Sequence, residues 1–340
     1  MTKSQVLQEI HAAPQAVRNM LAVNRAALPA LAKTLRALKP RAVTTIARGS
    51  SDHAALFFKY LCEIKLGIPV ASLGPSLATL YHAPLRMEGL ASLAISQSGA
   101  SPDLVALQEA VRGSGAMTIS AVNAKDSPLA EMSEVSLDIG AGPELSVAAT
   151  KSFIASAALA TALVAHWAED AELLDALERL PERVAESIDC DWSVAVEFLA
   201  DVQSMYVVGR GPGLAMAGEA ALKLKEMCGL HAEAYSAAEL LHGPVALAGA
   251  DFPVLMLAGG LSDRTPAALA ARLAGDGVPV FLAGGEAEGV ACLPVVAGDH
   301  PFTDHIARIA SFYVFAEALA RRRGFDPDKP PKLKKVTRTF

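Results

Sequence analysis

The sequence contains an internal repeat. The segment IARGSSDHAALFFKYLCE at 46–63 resembles VGRGPGLAMAGEAALKLK at 208–225. The match continues at one constant spacing, which pairs Arg48 with Arg210, Leu93 with Leu255 and Gly113 with Gly275. A constant spacing across separate elements indicates duplication of one structural unit. The chain has 340 residues, which is long enough for two domains with full hydrophobic cores.

Short apolar runs alternate with helix-length stretches in both copies. The runs do not alternate polar with apolar residues, so both faces of each strand are expected to be buried, as in a parallel sheet. This pattern predicts an α/β fold in which each copy forms a doubly wound αβα sandwich of three layers. The predicted strands are 42–47, 92–96, 116–122 and 135–139 in the first copy, and 205–209, 254–258, 278–283 and 293–297 in the second.

The predicted helices lie between these strands and outside the two copies. A helical lead over 4–38, broken near Pro14 and Pro29, precedes the first copy, and a helical stretch over 147–199 joins the copies with an interruption near Pro181. Helices between strands are predicted at 52–66, 102–112, 213–228 and 264–274. The predicted division is an N-terminal helical segment (1–40), a first domain (41–170), a linking helix (171–198), a second domain (199–325) and a C-terminal tail (326–340).

Composition narrows the class of protein. Hydrophobic residues make up 52% of the chain and charged residues 19%, which is typical of a compact globular protein. The net charge of −6 argues against nucleic acid as a main partner. The apolar run at 154–165 is too short to span a membrane, and the N-terminus has no apolar signal core. The four cysteines lack zinc or redox spacing, so we expect a cytoplasmic protein with reduced thiols.

Two loops of the first copy are rich in serine. The stretch SQSGAS follows a predicted strand and contributes Ser96, Gln97, Ser98 and Ser101; RGSSD follows another strand and contributes Ser50 and Ser51. Loops at the carboxyl ends of parallel strands lead into helix N-termini, where a phosphate is favoured, and hydroxyl and amide groups can donate to it. The alternative is that these serines only cap helices and form turns. Two clusters at one sheet edge favour the phosphate site.

The second copy reads AGGLSD at the corresponding place, with Asp263 where Ser101 stands. Because a carboxylate repels phosphate, we expect one anion site per chain, in the first copy.

Several motifs resemble those of a known family. ISQSGASPD, ELSVAATKSF, GEAALKLKEMCGLHAEAYSAAELLHGPVAL and the tail LKKVTRTF are similar to the tandem sugar isomerase (SIS) domains in the isomerase half of glutamine–fructose-6-phosphate aminotransferase. The resemblance spans nearly the whole chain and implies two flavodoxin-like SIS domains. No cysteine precedes Cys62, so we expect no glutaminase domain, as in the stand-alone SIS-type amino-sugar phosphate deaminases and isomerases.

The predicted helix 213–228 is apolar except for a few charged residues. Glu219, Lys223 and Glu226 would be costly there unless paired. A structural Glu–Lys pair is the common meaning of such spacing. The resemblance instead implies that Glu226 transfers the proton between C1 and C2 of a sugar, and that Lys223 stabilises developing negative charge.

Further roles come from the resemblance alone. His242 matches the acid/base that opens the sugar ring and is donated by a neighbouring subunit, which implies at least a homodimer. Lys335 matches a tail lysine that forms a Schiff base with the open ketose, although Lys334 stays possible. Val147 matches a backbone contact to the sugar. Glu144 and the pair Thr150–Lys151 are expected to shape the loop that contains Val147.

The remaining histidines are interpreted as structural. No metal or cofactor is expected, since HPFTDH at 300–305 lacks a third ligand at a recognised spacing.

The predicted function is an amino-sugar 6-phosphate deaminase/isomerase that converts glucosamine 6-phosphate to fructose 6-phosphate and ammonia. Two alternatives remain: an ammonia-dependent synthase-like enzyme and a non-catalytic sugar-phosphate sensor. The net direction, gluco- or galacto-configuration of the substrate and tolerance of an N-acetyl group stay open.

Overall fold

The protein is described here by a computed structural model, which covers residues 3–259, 265–333 and 335. The strands are β1 (Val43–Ile46), β2 (Val70–Ser72), β3 (Ala91–Ser96), β4 (Met117–Val122), β5 (Val135–Asp138), β6 (Ser204–Gly209), β7 (His231–Ser236), β8 (Val254–Leu257), β9 (Val280–Ala283) and β10 (Ala291–Leu293).

The helices alternate with these strands. They are α1 (Gln5–His11), α2 (Ala13–Val23), α3 (Ala27–Leu38), α4 (Ser50–Leu66), α5 (Ser76–Thr79), α6 (Pro102–Gly113), α7 (Pro128–Glu131), α8 (Lys151–Ala168), α9 (Ala171–Ile188), α10 (Ser193–Leu199), α11 (Gly213–Cys228), α12 (Ala237–Leu240), α13 (Thr265–Gly275) and α14 (Pro301–Arg322), with a 3₁₀ turn at Pro244–Leu247.

The chain folds into two compact units. The first-sheet unit contains 15–144, 151–178 and Lys335, and the second-sheet unit contains 3–14, 145–150 and 179–333 except 260–264. The five-segment division predicted from the sequence stays a prediction.

Each unit is built on one five-stranded parallel sheet. The strand order is β2-β1-β3-β4-β5 in the first sheet and β7-β6-β8-β9-β10 in the second. Element by element, this is the same order, as duplication of one unit requires. The predicted α/β fold is therefore confirmed, with two doubly wound three-layer sandwiches.

The first-sheet unit is held by buried helix faces on its sheet. All residues of β1 and β3 are buried. Helix α8 is buried on almost every side, and α4 packs against it. A helix that is apolar all round is expected inside a layered fold rather than at its surface, which explains the long apolar run at 154–165.

The second-sheet unit includes the first helix of the chain. The backbone N–H groups of Gln5 and Val6 at the start of α1 donate to the carboxylate of Asp328, at 2.8 and 2.9 Å. The Ser4 hydroxyl donates to Glu317 of α14 at 2.6 Å. The two contacts with Asp328 satisfy backbone groups that a helix N-terminus otherwise leaves without partners.

Three predicted details differ from the structure. Helix α9 runs through Pro181 without interruption. Although proline cannot donate to the carbonyl four residues earlier, burial of Leu177, Leu180 and Val184 along one face supports the helix. The helical stretch predicted over 147–199 begins at Lys151 and is divided into α8, α9 and α10. The last predicted strand, 293–297, is shifted to β10.

Candidate functional site

The serine-rich loops of the first-sheet unit follow adjacent strands. β1 pairs with β3, with Ile46 opposite Ala94. The loop after β1 leads into α4 at Ser50, and the loop after β3 leads into α6 at Pro102. The strand order reverses between β1 and β3. Ligands of doubly wound sheets bind in the crevice at such a reversal, so both loops lie where a ligand is expected.

The hydroxyl groups of the second loop are partly used in its own turn. Ser96 Oγ accepts the N–H of Gly99 at 3.1 Å, and Ser98 Oγ accepts the N–H of Ala100 at 3.3 Å. Gly99 has φ +59°, and a Cβ there would lie 2.1 Å from the Ser127 hydroxyl oxygen. The turn therefore requires glycine.

Capping does not account for the side chain of Ser101, and three further polar residues lie in the two loops or at the start of α4. Ser101 is the N-cap residue of α6, but its side chain makes no capping hydrogen bond. Gln97 is half-buried, as are Ser50 and Ser51 in the first turn of α4. These side chains can donate neutral hydrogen bonds to an anion at two helix N-termini, where the helix dipole also favours negative charge.

Arg48 joins the two loops, and sequence reasoning used it only as a marker of the repeat. Its Nε and Nη2 lie 3.2 and 3.1 Å from Oδ2 of Asp103, in the first turn of α6. The Arg48 side chain is 54% exposed, whereas Asp103 is buried. The pair fixes the spacing of the loops and leaves a cation at the rim of the crevice. The Arg–Gly dipeptide at the matching position of both copies was the sequence signal that could have singled out Arg48.

In the second-sheet unit, α11 presents a buried lysine between two carboxylates. Lys223 Nζ lies 2.6 Å from Glu226 Oε2 and 3.5 Å from Glu219 Oε1. The side chains of Lys223 and Glu219 are 1% and 0% exposed, but that of Glu226 is 22% exposed. Burial of an ammonium group at this depth is tolerable only because it is paired on both sides. Glu226 is thus the member of the cluster that reaches solvent.

Tyr313 extends this cluster to α14. Its hydroxyl donates to Glu219 Oε1 at 2.8 Å, and both residues are buried. The result is a continuous path of polar contacts from Tyr313 through Glu219 and Lys223 to Glu226. Sequence reasoning missed Tyr313, because it is a polar group within the apolar stretch SFYVF and nothing local indicates its partner.

His242 lies in the turn that follows α12. Its backbone N–H donates to the carbonyl of Glu239 at 3.0 Å, and its side chain is exposed. The Tyr206 hydroxyl donates to the carbonyl of Pro244 at 2.9 Å and holds the turn against the sheet. An exposed imidazole on an anchored turn can reach a molecule outside its own chain.

The tail lysine contacts the first-sheet unit. Lys335 Nζ lies 3.7 Å from Oε2 of Glu144, which is buried and accepts hydrogen bonds from the backbone N–H (3.1 Å) and hydroxyl of Ser152. Lys151 Nζ donates to the carbonyl of Pro143 at 2.6 Å. Lys334, the other candidate from the sequence, lies outside the described residues.

The segment that contains Val147 belongs to the second-sheet unit. The buried carboxylate of Glu9 in α1 accepts the backbone N–H groups of Leu145 and Ser146. Val147 itself is half-buried. Sequence reasoning missed Glu9, although an acidic residue inside the apolar segment VLQEI was a usable signal.

The sequence-predicted residues thus fall into two groups. The first-sheet unit contains Ser50, Ser51, Ser96, Gln97, Ser98, Ser101 and Lys335, and the second-sheet unit contains Val147, Lys223, Glu226 and His242.

Among the described residues, no group of three or more His, Cys, Asp or Glu side chains is arranged to hold a metal ion. No helix within the described part of the chain is long and apolar enough to cross a membrane.

Comparison with known proteins agrees with this architecture. The SIS domain matches residues 38–166 and 198–283. Glutamine–fructose-6-phosphate aminotransferase of Thermotoga maritima is 34% identical over 312 residues, covering 86% of this chain and 51% of that protein. The enzyme of the same name from Sulfurisphaera tokodaii is 32% identical, covering 97% of this chain and 56% of that protein. The chain spans about half the length of these relatives.

Solved structures give the same result. A Silicibacter pomeroyi protein provisionally assigned as a phosphosugar isomerase has a TM-score of 0.92 and 44% identity, covering 96% of this chain and all of that chain (100%). Glucosamine-6-phosphate deaminase of Thermotoga maritima has a TM-score of 0.82 at 23% identity, covering 99% of this chain and 100% of that one; this likeness concerns the fold. The two matched segments, the repeated sheet order and the relatives together show that the chain belongs to the SIS-domain family.

Proposed function

We propose that the protein is a phosphosugar isomerase that deaminates amino-sugar 6-phosphates, converting glucosamine 6-phosphate to fructose 6-phosphate and ammonia. The observation that carries the proposal is the cluster on α11, where Glu226 reaches solvent and Lys223 contacts it at 2.6 Å from a fully buried position. A carboxylate with a fixed cation behind it suits the movement of a proton on a carbon next to a carbonyl group. The names of the relatives support the choice of sugar phosphate.

The serine-rich loops of the first-sheet unit would bind the phosphate group. Ser96, Gln97, Ser98 and Ser101 lie at one helix N-terminus, and Ser50 and Ser51 at the other. Uncharged hydroxyl and amide groups at two helix N-termini can bind the phosphate dianion by hydrogen bonds. Because they form no salt bridge with it, the phosphorylated product can also dissociate.

Ring opening is the first chemical step. His242 would take the proton from the C1 hydroxyl and return one to the ring oxygen, so that the C1–O5 bond breaks and an aldehyde forms. An imidazole can accept a proton on one ring nitrogen and donate one from the other, which suits both halves of this exchange.

Proton transfer then moves the carbonyl function from C1 to C2. The Glu226 carboxylate would remove the C2 proton to give an enolamine and deliver that proton to C1. The C1 oxygen would take a proton from the C2 ammonium group and become a hydroxyl, which leaves a protonated imine at C2. Lys223 would stabilise the negative charge that develops on the C1 oxygen in between.

The tail lysine offers a route for release of nitrogen. The amine of Lys335 would add to the C2 imine and expel ammonia, which leaves a lysine Schiff base. Water would then hydrolyse this Schiff base to fructose 6-phosphate and regenerate the amine. The contact with Glu144 would hold Lys335 when the site has no substrate.

A homodimer is part of the proposal, with His242 serving the site of the partner subunit. The exposed imidazole on an anchored turn supports this arrangement. If Glu226→Gln and His242→Ala proteins are each inactive, subunit exchange between them should restore part of the activity, since one mixed site regains both native groups. No recovery after verified exchange would contradict a shared site.

We also place the protein in the cytoplasm. All four cysteines are free, and burial raises the pKa of the Cys62 and Cys228 thiols to about 12. Unpaired thiols are typical of a reducing compartment.

The reaction is tested by a coupled assay for ammonium and fructose 6-phosphate with the purified chain. Glucosamine 6-phosphate, galactosamine 6-phosphate and their N-acetylated forms are compared. We expect equal amounts of ammonium and ketose from a non-acetylated substrate. Ketose from an aldose phosphate without ammonium from any amino sugar would identify a plain isomerase. Tight binding of sugar phosphates without turnover would identify a sensor.

A further inference from the structure

A cavity lies in the second-sheet unit, at the carboxyl edge of its sheet. It has a volume of about 640 Å³ and is lined by residues that follow β8 and β9, by one face of α13 and by the first turns of α14. Volumes of this size are typical of small-molecule sites. In the repeated fold, this edge corresponds to the edge that carries the serine loops in the first-sheet unit.

The walls of this cavity are made of small side chains. Ala267, Ala268 and Ala271 line it from α13, and Gly284 and Gly285 from the segment after β9. Small side chains leave the volume open, whereas larger ones at the same backbone positions would fill it. An apolar wall of this kind favours a ligand with a compact apolar body.

Arg308 is the buried cation of the cavity. Its side chain lines the cavity from α14 and is only 8% exposed. One guanidinium nitrogen, Nη1, donates to the carbonyl of Ala258, whereas Nε has no hydrogen-bond partner among the residues described. Burial lowers the pKa of Arg308 to about 10, so the group is still positively charged at neutral pH.

The acidic neighbour of Arg308 is already engaged. Asp304, one turn earlier on α14, accepts Nη2 of Arg183 at 2.7 Å and the backbone N–H of Asp299 at 3.0 Å. Within the described part of the chain, Arg308 forms no ion pair of its own. A buried cation without a dedicated counter-ion is costly, and a bound anion would offset that cost.

The backbone is shaped around the guanidinium. Gly284 has φ +88°, and a Cβ there would lie 2.8 Å from Nη2 of Arg308. Any other residue would therefore displace the guanidinium as well as strain the turn. Gly284 and Arg308 thus depend on each other for their positions in the cavity wall.

We propose that this cavity is a second ligand site, which binds a small organic anion through Arg308. The ligand class is a carboxylate or phosphate monoester with a compact apolar body. The planar guanidinium is suited to either headgroup, and α13 begins beside the cavity, so its N-terminus adds to the positive potential. Glu286, an exposed carboxylate on the lining, disfavours a second negative group on the ligand.

A site for an anion in the second-sheet unit differs from the expectation of one anion site per chain. That expectation depended on Asp263, which lies outside the described residues. The cation here comes from a different element, α14, and a comparison of the two loops alone could not have revealed it. The site is separate from the residues proposed for deamination, so it would bind a regulator or a second reactant.

The test uses the full chain with Ser98→Ala and Ser101→Ala, which weakens the proposed substrate site. Phenyl phosphate, benzoate and inorganic phosphate are the probes, and binding is measured by calorimetry and ligand-observed NMR. We expect phenyl phosphate or benzoate to bind more tightly than inorganic phosphate, because inorganic phosphate lacks the apolar body. Which of the two binds better identifies the headgroup.

Two cavity variants give the decisive comparison. Arg308→Gln removes the cation, and Ala271→Phe fills the cavity but leaves Arg308 in place, so the test survives if the first variant fails to fold. Each should weaken the better organic probe by at least about tenfold. Equal binding to both variants and to the unmodified cavity, or no binding of either organic probe at millimolar concentration, would overturn the proposal.

Discussion

The two sheets have the same strand order but differ in what they carry at their carboxyl edges. The first-sheet unit has serine and glutamine side chains there, with one half-exposed arginine at the rim. The second-sheet unit has alanine and glycine around the buried Arg308. It also carries the Lys223–Glu226 pair on α11. The comparison indicates that one duplicated fold can keep its architecture while its copies take different tasks.

The difference also has an energetic side. The hydroxyl groups at the carboxyl edge of the first sheet are neutral, and those of Ser96 and Ser98 accept hydrogen bonds within their own turn. They therefore cost the fold little when no ligand is present. The buried lysine and arginine of the second-sheet unit depend on neighbours for their stability, and they are therefore sensitive to loss of a single partner.

The largest expected effect comes from the proton-transfer group. Glu226→Gln keeps the shape of the side chain but removes its basicity, and kcat should fall by about 10²- to 10⁴-fold. Calorimetry should show that sugar phosphate still binds. The matched control is Glu197→Gln, an exposed carboxylate paired with Arg322, which should leave kcat unchanged. A similar loss in both variants would contradict a specific role for Glu226.

The next largest effect tests phosphate binding at the carboxyl edge of the first sheet. Replacement of Ser98 and Ser101 by alanine should raise KM with little change in the unfolding midpoint. Each lost hydrogen bond to the charged phosphate should cost roughly 1.5–3 kcal/mol. Ser114→Ala, at the opposite end of α6, is the control and should leave KM unchanged. Unchanged affinity for fructose 6-phosphate in the double variant would contradict the phosphate assignment.

A smaller effect, on stability, is expected for Tyr313→Phe. The change removes the hydroxyl that donates to the buried carboxylate of Glu219, and the free energy of unfolding should fall by about 1–3 kcal/mol. Urea denaturation measures this. Tyr235→Phe is the control, because the Tyr235 hydroxyl contacts Glu233 at 3.4 Å in an exposed setting. Equal stability of the two variants would mean that the Tyr313 hydroxyl does not support the cluster.

The smallest effect tests whether Arg48 and its counterpart Arg210 in the second copy differ in their contribution to phosphate binding. Arg48→Ala removes the pair between the half-exposed Arg48 side chain and the buried carboxylate of Asp103. Solvent screening of the arginine keeps the contribution of the pair at about 1 kcal/mol. KM should rise by at most about fivefold. Arg210→Ala changes the matching residue of the second copy and should leave KM as it is. An equal rise in both would contradict the assignment of phosphate binding to the first copy alone.

Much of the fold could be predicted from the sequence because the strands are continuous apolar runs and the copies match at constant spacing. Helix α11 begins and ends at the predicted residues. Strands β2 and β7 were missed. β2 has only three residues, and β7 reads HAEAYS, with a polar residue at every second position and no apolar run. Pro181 predicts an interruption that α9 does not have, because local propensity does not include the burial of the helix face.

The sites were predictable to a lesser degree. Residues grouped within one loop or one helix, such as the serines of SQSGAS or the pair of Lys223 and Glu226, have a local signal. Contacts between distant segments have none: Tyr313 with Glu219, Glu9 with Leu145, and Arg308 with Ala258 each join residues that only the tertiary structure brings together.

Solvent exchange followed by NMR tests whether the second-sheet unit moves the proton. Fructose 6-phosphate is incubated in D₂O with the unmodified chain and with Glu226→Gln. We expect deuterium to be incorporated at C1 with the unmodified chain and not with Glu226→Gln, although both proteins bind the sugar. No incorporation with the unmodified chain, or equal incorporation with both proteins, would contradict this role of the second-sheet unit.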